Sequence, residues 1–233
     1  MNDLIASNVA RVRARIATAA TAAGRAADSV TLVAVTKYVG PVETESLVAA
    51  GCKDLGESRP QALWEKASGH ASSAVRWHLI GHLQRNKVAR TVPLVSMIHS
   101  VDSPRLLAAI DAAAARLERR IAILLEVNTS GESAKHGLST DQVTALLAEI
   151  GSYPHVDACG LMTLAAREGG AEVARKNFAA LRQLRDRLQA ECPEQTHLRE
   201  LSMGMSGDFE TAIAEGATMV RVGSALFEGV GNR

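Results

Sequence analysis

The chain has 233 residues, 47% of them hydrophobic and 22% charged, with a formal net charge of +1. That balance excludes a disordered segment, and the near-zero charge excludes a global field that would draw nucleic acid or an anionic membrane. Cys52, Cys159 and Cys192 stand far apart in no ligand-like spacing, so neither a disulfide framework nor a cysteine zinc site is expected, and the compartment read from them is a reducing cytoplasm.

Apolar positions at Leu4, Ile5, Val9, Val12 and Ile16 recur at helical spacing and predict an amphipathic helix over 1–24 rather than a transit peptide. No apolar run reaches the ~20 residues that span a bilayer. β-rich runs then alternate with alanine- and leucine-rich ones. The first strand is predicted over 31–36, "TLVAVT"; it ends on Lys37, and the chain turns at Gly40-Pro41. Lys37 has two readings. It is a lysine that snorkels to solvent at a strand end, or an amine in an apolar surround, its pKa lowered, free to attack a carbonyl and hold it as an imine.

Seven more strands are predicted at 54–57, 77–81, 97–101, 121–128, 156–162, 198–204 and 218–223. Helices are predicted over 43–51, 59–69, 84–91, 103–119, 139–151, 171–191 and 207–216, several opened by cap-like residues such as Ser103-Pro104 and Ser139-Thr140-Asp141. Eight alternating β/α units fit a closed (β/α)₈ barrel of about 250 residues, with an open doubly wound sheet as the alternative. The expectation is one domain over 1–233 with the barrel at 30–227. Too few residues follow the eighth strand for an outer helix, so the N-terminal helix is expected to cover the gap between strands eight and one.

In such a barrel, chemistry gathers at the carboxyl ends of the strands, and phosphate is often held after strands seven and eight. Two small-residue loops stand there: Ser202-Met203-Gly204-Met205-Ser206-Gly207-Asp208 and Val222-Gly223-Ser224-Ala225. With Lys37 they predict a phosphorylated carbonyl ligand. Arg221, between Val220 and Val222, faces inward or outward by strand alternation. His78 and His82 flank Gly81 in a strand-then-turn, so a two-histidine zinc site on one helix face is not expected, and no metal is expected. Arg85, Asn86, Lys87 and Arg90 read as a solvated basic face or a partner surface. Lys135 is a further candidate at the barrel mouth.

The ordered set "LVAVTK", "DLGE", "WHLIGHLQRNK", "NTSGESAKHG", "GLMTL", "LSMGMSGD" and "MVRVGSALFEG" closely resembles the YggS/PROSC family of pyridoxal 5′-phosphate (PLP)-binding homeostasis proteins. The resemblance implies the (β/α)₈ barrel of the alanine racemase N-terminal domain, with Lys37 forming an imine with PLP. It implies that Ser206, Gly223 and Ser224 hold the phosphate, that Arg221 faces the cofactor, and that Met203 belongs to the same cofactor-binding set. The family often reads "GENY" or "GENR" where Glu57-Ser58-Arg59 stand, and often has proline at His82. The implied function is storage and delivery of PLP in the cytoplasm without established turnover. The implied partners are PLP, other B6 vitamers and PLP-dependent apo-enzymes, not nucleic acid or membrane, and the chain is expected as a monomer or weak dimer.

Three alternatives remain: a racemase-like enzyme with weak one-base activity, a lysine-imine aldolase, and a barrel that only scaffolds a partner. Against the first, racemases of this architecture carry a second domain whose tyrosine is the opposite-face acid/base. Tyr38, next to Lys37, points away from it if the segment is extended. An aldolase needs an acid/base partner near Lys37, for which Glu57 and Glu126 are nearest by topology.

Overall fold

Ile5, Val9, Val12, Ile16 and Ala20 fall on one face of helix α1 (Asn2–Ala22) and are buried, whereas Leu4 is 40% exposed and lies off the stripe. Each buried aliphatic side chain of this size contributes about 1.5–3 kcal/mol, so the stripe fixes the helix to the body of the fold. The computed structural model describes residues 1–69, 75–130, 136–166, 168–191 and 197–230.

The body is a parallel sheet of β1 (Thr31–Val35), β2 (Asp54–Glu57), β3 (Arg76–Leu79), β4 (Met97–Val101), β5 (Ile121–Glu126), β6 (Val156–Met162), β7 (Glu200–Ser202) and β8 (Met219–Val222). The strands follow chain order and the sheet closes, with Thr31 opposite Met219 and Ala34 opposite Val222. Closure rules out the open doubly wound sheet. Around the barrel run α2 (Pro41–Ala49), α3 (Pro60–Gly69), α4 (Val88–Thr91), α5 (Pro104–Ala115), α6 (Thr140–Ala148), α7 (Gly170–Glu191) and α8 (Phe209–Ala214).

Among the described residues β8 is followed by a 3₁₀ turn, Ser224–Leu226, and α1 packs against it, α2 and α8. Asn8, buried on α1, donates to the carbonyls of Leu226 (3.2 Å) and Glu228 (2.9 Å). The N-terminal helix therefore covers the gap between β8 and β1, as expected. The run at 84–91 is not one helix: a 3₁₀ turn at Arg85–Lys87, four residues of α4 and another 3₁₀ turn at Val92–Leu94 follow one another. Pro93 in the last turn cannot donate its backbone nitrogen, which denies a longer α-helix its hydrogen bond. Arg90 of that basic face lies 4.2 Å from the Trp64 ring centroid, so one of its cations is spent on stacking. Among the described residues no helix is long and apolar enough to cross a membrane.

Candidate functional site

Strand alternation leaves the direction of Arg221 open, and the barrel decides it. Arg221 is paired with Val33 across β1, is 3% exposed, and points inward. Its guanidinium donates to Ser202 Oγ (2.6 Å) and to the Thr163 carbonyl (2.9 Å). Burial lowers its pKa to about 10 against the opposing pull of Glu126 and Asp208, so it remains a cation at neutral pH.

From Arg221 a chain of hydrogen bonds crosses the barrel interior. Ser202 Oγ meets His99 Nδ1 at 2.9 Å, His99 Nε2 meets His78 Nδ1 at 2.9 Å, and His78 Nε2 meets Asp54 Oδ1 at 3.0 Å. Arg76 closes the far end with two 2.6 Å bonds to Asp54. Burial alone would raise the Asp54 carboxyl, but bonds from His78 and Arg76 hold it at about 2, so it is ionised. Burial, with the charges of His78 and Arg221, holds His99 well below the ordinary histidine range. A guanidinium only donates and a carboxylate only accepts, so Arg221 donates to Ser202 at one end of the chain and His78 donates to Asp54 at the other. The chain holds the guanidinium in one place.

Lys37 lies in a turn just past β1, closed by Val39 N–H on the Thr36 carbonyl (3.1 Å). The flanking backbone is tied on several sides. Thr36 N–H donates to the Gly56 carbonyl (2.9 Å), the Thr36 carbonyl accepts from Lys66 Nζ (2.6 Å), and the Lys37 carbonyl accepts from Arg59 (3.1 Å). Lys66 also bonds Glu57 Oε2 at 2.6 Å, and the other Glu57 oxygen accepts from the N–H groups of Ser58 (2.8 Å) and Arg59 (3.3 Å). Glu57 is thereby fully engaged and is not free to act as an acid/base partner. The turn also corrects one expectation: the segment is not extended at Tyr38, and the Lys37 ammonium lies 4.8 Å from the Tyr38 ring centroid. Lys37 is half-buried at the edge of a cleft of about 460 Å³ shared with Gly40, Arg59, Glu65 and Lys66.

After β7, Gly204 takes φ +91°, and a Cβ there would meet Ala212 Cβ at 2.6 Å; only glycine lets the chain turn this tightly into α8. Ser206 Oγ then accepts from the N–H of Gly223 (3.2 Å) and Ala225 (3.5 Å), joining the loops after β7 and β8. A Cβ on Gly223 would lie 3.4 Å from Val35 Cβ, so this junction adjoins the end of β1. Ser224 is exposed at the start of the 3₁₀ turn. Met203 is completely buried in the main core, with its N–H on the Met219 carbonyl (3.1 Å); its side chain packs in the core. The sequence-predicted residues thus fall in two groups at one end of the barrel, Ser206-Gly223-Ser224 with Arg221 behind them, and Lys37 on the neighbouring strand end.

The family model for the alanine racemase N-terminal domain matches residues 7–230. A pyridoxal phosphate homeostasis protein of Deinococcus radiodurans is 40% identical, over 94% of this chain and 99% of that protein. Its counterpart in Aquifex aeolicus is 38% identical, over 94% of this chain and 95% of that protein. The chain belongs to the pyridoxal phosphate homeostasis protein family. The structure of the family member PipY of Synechococcus elongatus with PLP bound superposes with a TM-score of 0.85 at 34% identity, covering 96% of this chain and 99% of that one.

In this chain, His99, Thr163 and Lys66 were not singled out from sequence, and Ser202 and Arg59 were given no such role. His99, Ser202 and Thr163 hold Arg221, and Lys66 with Arg59 holds the turn at Lys37. Inward alternation along β4 and β7 was the available signal for His99 and Ser202; nothing local marks Lys66. Lys135 lies outside the described residues.

Proposed function

We propose that the chain holds pyridoxal 5′-phosphate at the barrel mouth as an imine of Lys37, with the phosphate on the loops after β7 and β8, and stores it in the cytoplasm for delivery to PLP-dependent apo-enzymes. The observation that carries this reading is the convergence of the Gly223 and Ala225 N–H groups on one acceptor, Ser206 Oγ, beside the end of β1. Donors gathered in this way suit a phosphate oxygen, and the Ser206 hydroxyl can turn to donate as well. The PLP-bound relative supports the same ligand.

PLP supplies an aldehyde carbon at C4′. Lys37 would hold that carbon through its side-chain nitrogen, with the carbonyl oxygen lost as water. Tight backbone anchoring on both sides of Lys37 limits the positions its amine can sample. Other B6 vitamers that carry the phosphate are further ligands of the same loops.

Hydrogen bonds to a charged group contribute on the order of 1.5–3 kcal/mol, so Ser206→Ala should weaken PLP binding by roughly tenfold or more. Pyridoxal, which lacks the phosphate, should bind far less well than PLP in the same titration. Equal affinity for the two aldehydes would contradict the phosphate site.

An inward Arg221 favours storage over full carbanion chemistry. Its guanidinium offers only N–H donors, so placed against the pyridine nitrogen it supplies none of the carboxylate support that keeps that ring protonated and electron-withdrawing. Its bonds to Ser202 and Thr163 hold it inward. Incubation with L-alanine in deuterated water should exchange the α-hydrogen no faster than free PLP does. Exchange at an ordinary enzymatic rate, on the order of 1–10³ per second, would restore the racemase reading.

A further inference from the structure

β3, β4 and the loop after β5 end side by side at the barrel mouth, and each brings one side chain able to bind a metal. His82, Asp102 and His136 each offer a ligand atom, and these atoms all lie within 4.8 Å of one another. His82 Nδ1 stands 3.1 Å from an Asp102 oxygen, and the two imidazole rings stack with centroids 4.8 Å apart and planes 18° from parallel. The trio is accessible from solvent: the side chain of His82 is 46% exposed and that of Asp102 12%.

A second observation comes from Glu126, at the carboxyl end of β5. It is 7% exposed. Burial raises its pKa, as does the nearby charge of Asp102, while Arg221, His136 and His82 pull the other way. A carboxylate this little exposed gains from a cation placed beside it. This one lies among the same three side chains.

We propose that His82, Asp102 and His136 bind a divalent transition metal of the zinc class, with Glu126 the buried carboxylate beside it. Two imidazoles and a carboxylate select zinc, cobalt or nickel over magnesium or calcium, which prefer all-oxygen shells. Zinc–nitrogen and zinc–oxygen bonds of about 2.0–2.1 Å in a tetrahedron put ligand atoms ~3.4 Å apart. Rotation of the exposed imidazoles about their side-chain bonds can close the present spacing. Three protein ligands leave a fourth position open for water or an anion. His78 is buried in the interior chain, whereas His82 finds its partners on β4 and after β5. The site does not depend on PLP.

The test is titration of the purified full-length chain, free of any affinity tag, with Zn²⁺ by calorimetry and with Co²⁺ by visible absorbance. One ion per chain should bind in the micromolar range, and cobalt should show the bands of a four- or five-coordinate site. His82→Ala and His136→Ala should each weaken binding roughly tenfold or more, with His155→Ala, elsewhere on the barrel, as the unaffected control. No binding at millimolar metal, or binding unchanged in both mouth variants while their thermal midpoints stay normal, would overturn the proposal.

Discussion

Lys37→Ala is expected to abolish the visible absorbance of a pyridoxal imine on this protein while leaving its thermal midpoint almost unchanged. The two effects separate because of how Lys37 is built into the fold. Its side chain is half-buried and its ammonium sits over the exposed Tyr38 ring, a contact worth about 0.5–1 kcal/mol at such a site. What fixes the turn is backbone: Thr36 N–H on Gly56, the Thr36 carbonyl under Lys66, and the Lys37 carbonyl under Arg59. All of these survive truncation to alanine. PLP would still reach the loops after β7 and β8 through its phosphate, so the variant should retain weak binding without the imine band. A visible band that persists at full strength would place the covalent link on another lysine.

Glu57→Gln is expected to cost about 3–5 kcal/mol of stability, because it strips the charge partner from a buried ammonium. The side chains of Lys66 and Glu57 are 8% and 0% exposed, so solvent screens the pair very little. In the single variant, Lys66 keeps only the Thr36 carbonyl as a strong short-range acceptor. Adding Lys66→Met should recover part of the loss. The introduced amide oxygen can still accept from Ser58 and Arg59, its N–H₂ can donate to Thr36, and no charge is left buried. Urea unfolding of the two single variants and the double variant makes the comparison. A double variant whose loss equals the sum of the single losses would show that the two side chains are not coupled.

The barrel was legible in sequence because β-rich and helix-forming runs alternate eight times, and because the apolar stripe of α1 marks a face to be buried. Lys37 and the loops at Ser206 and Gly223 were legible for a related reason: a barrel gathers chemistry at strand ends, so position alone selects candidates. The lock around them was not legible. Asp54, His78, His99 and Ser202 come from four strands, and each reads locally as one inward polar residue in an apolar run. Lys66 reads as a solvated helix lysine until α3 is laid over Glu57. Strand alternation fails at Tyr38 because β1 ends at Val35 and the chain has already begun to turn. The trio His82, Asp102 and His136 is brought together only when β3, β4 and β5 pair side by side.

The central claim is the covalent attachment of PLP to Lys37, and borohydride tests it most directly. Reduction converts an imine into a stable secondary amine, so the pyridoxyl group stays on whichever lysine held it. The PLP-loaded protein should be reduced, digested and mapped by mass spectrometry. The account predicts the pyridoxyl group on Lys37, in the peptide that runs through Thr36 and Tyr38. A pyridoxyl group on Lys53, Lys66, Lys87 or Lys135 in its place would contradict it.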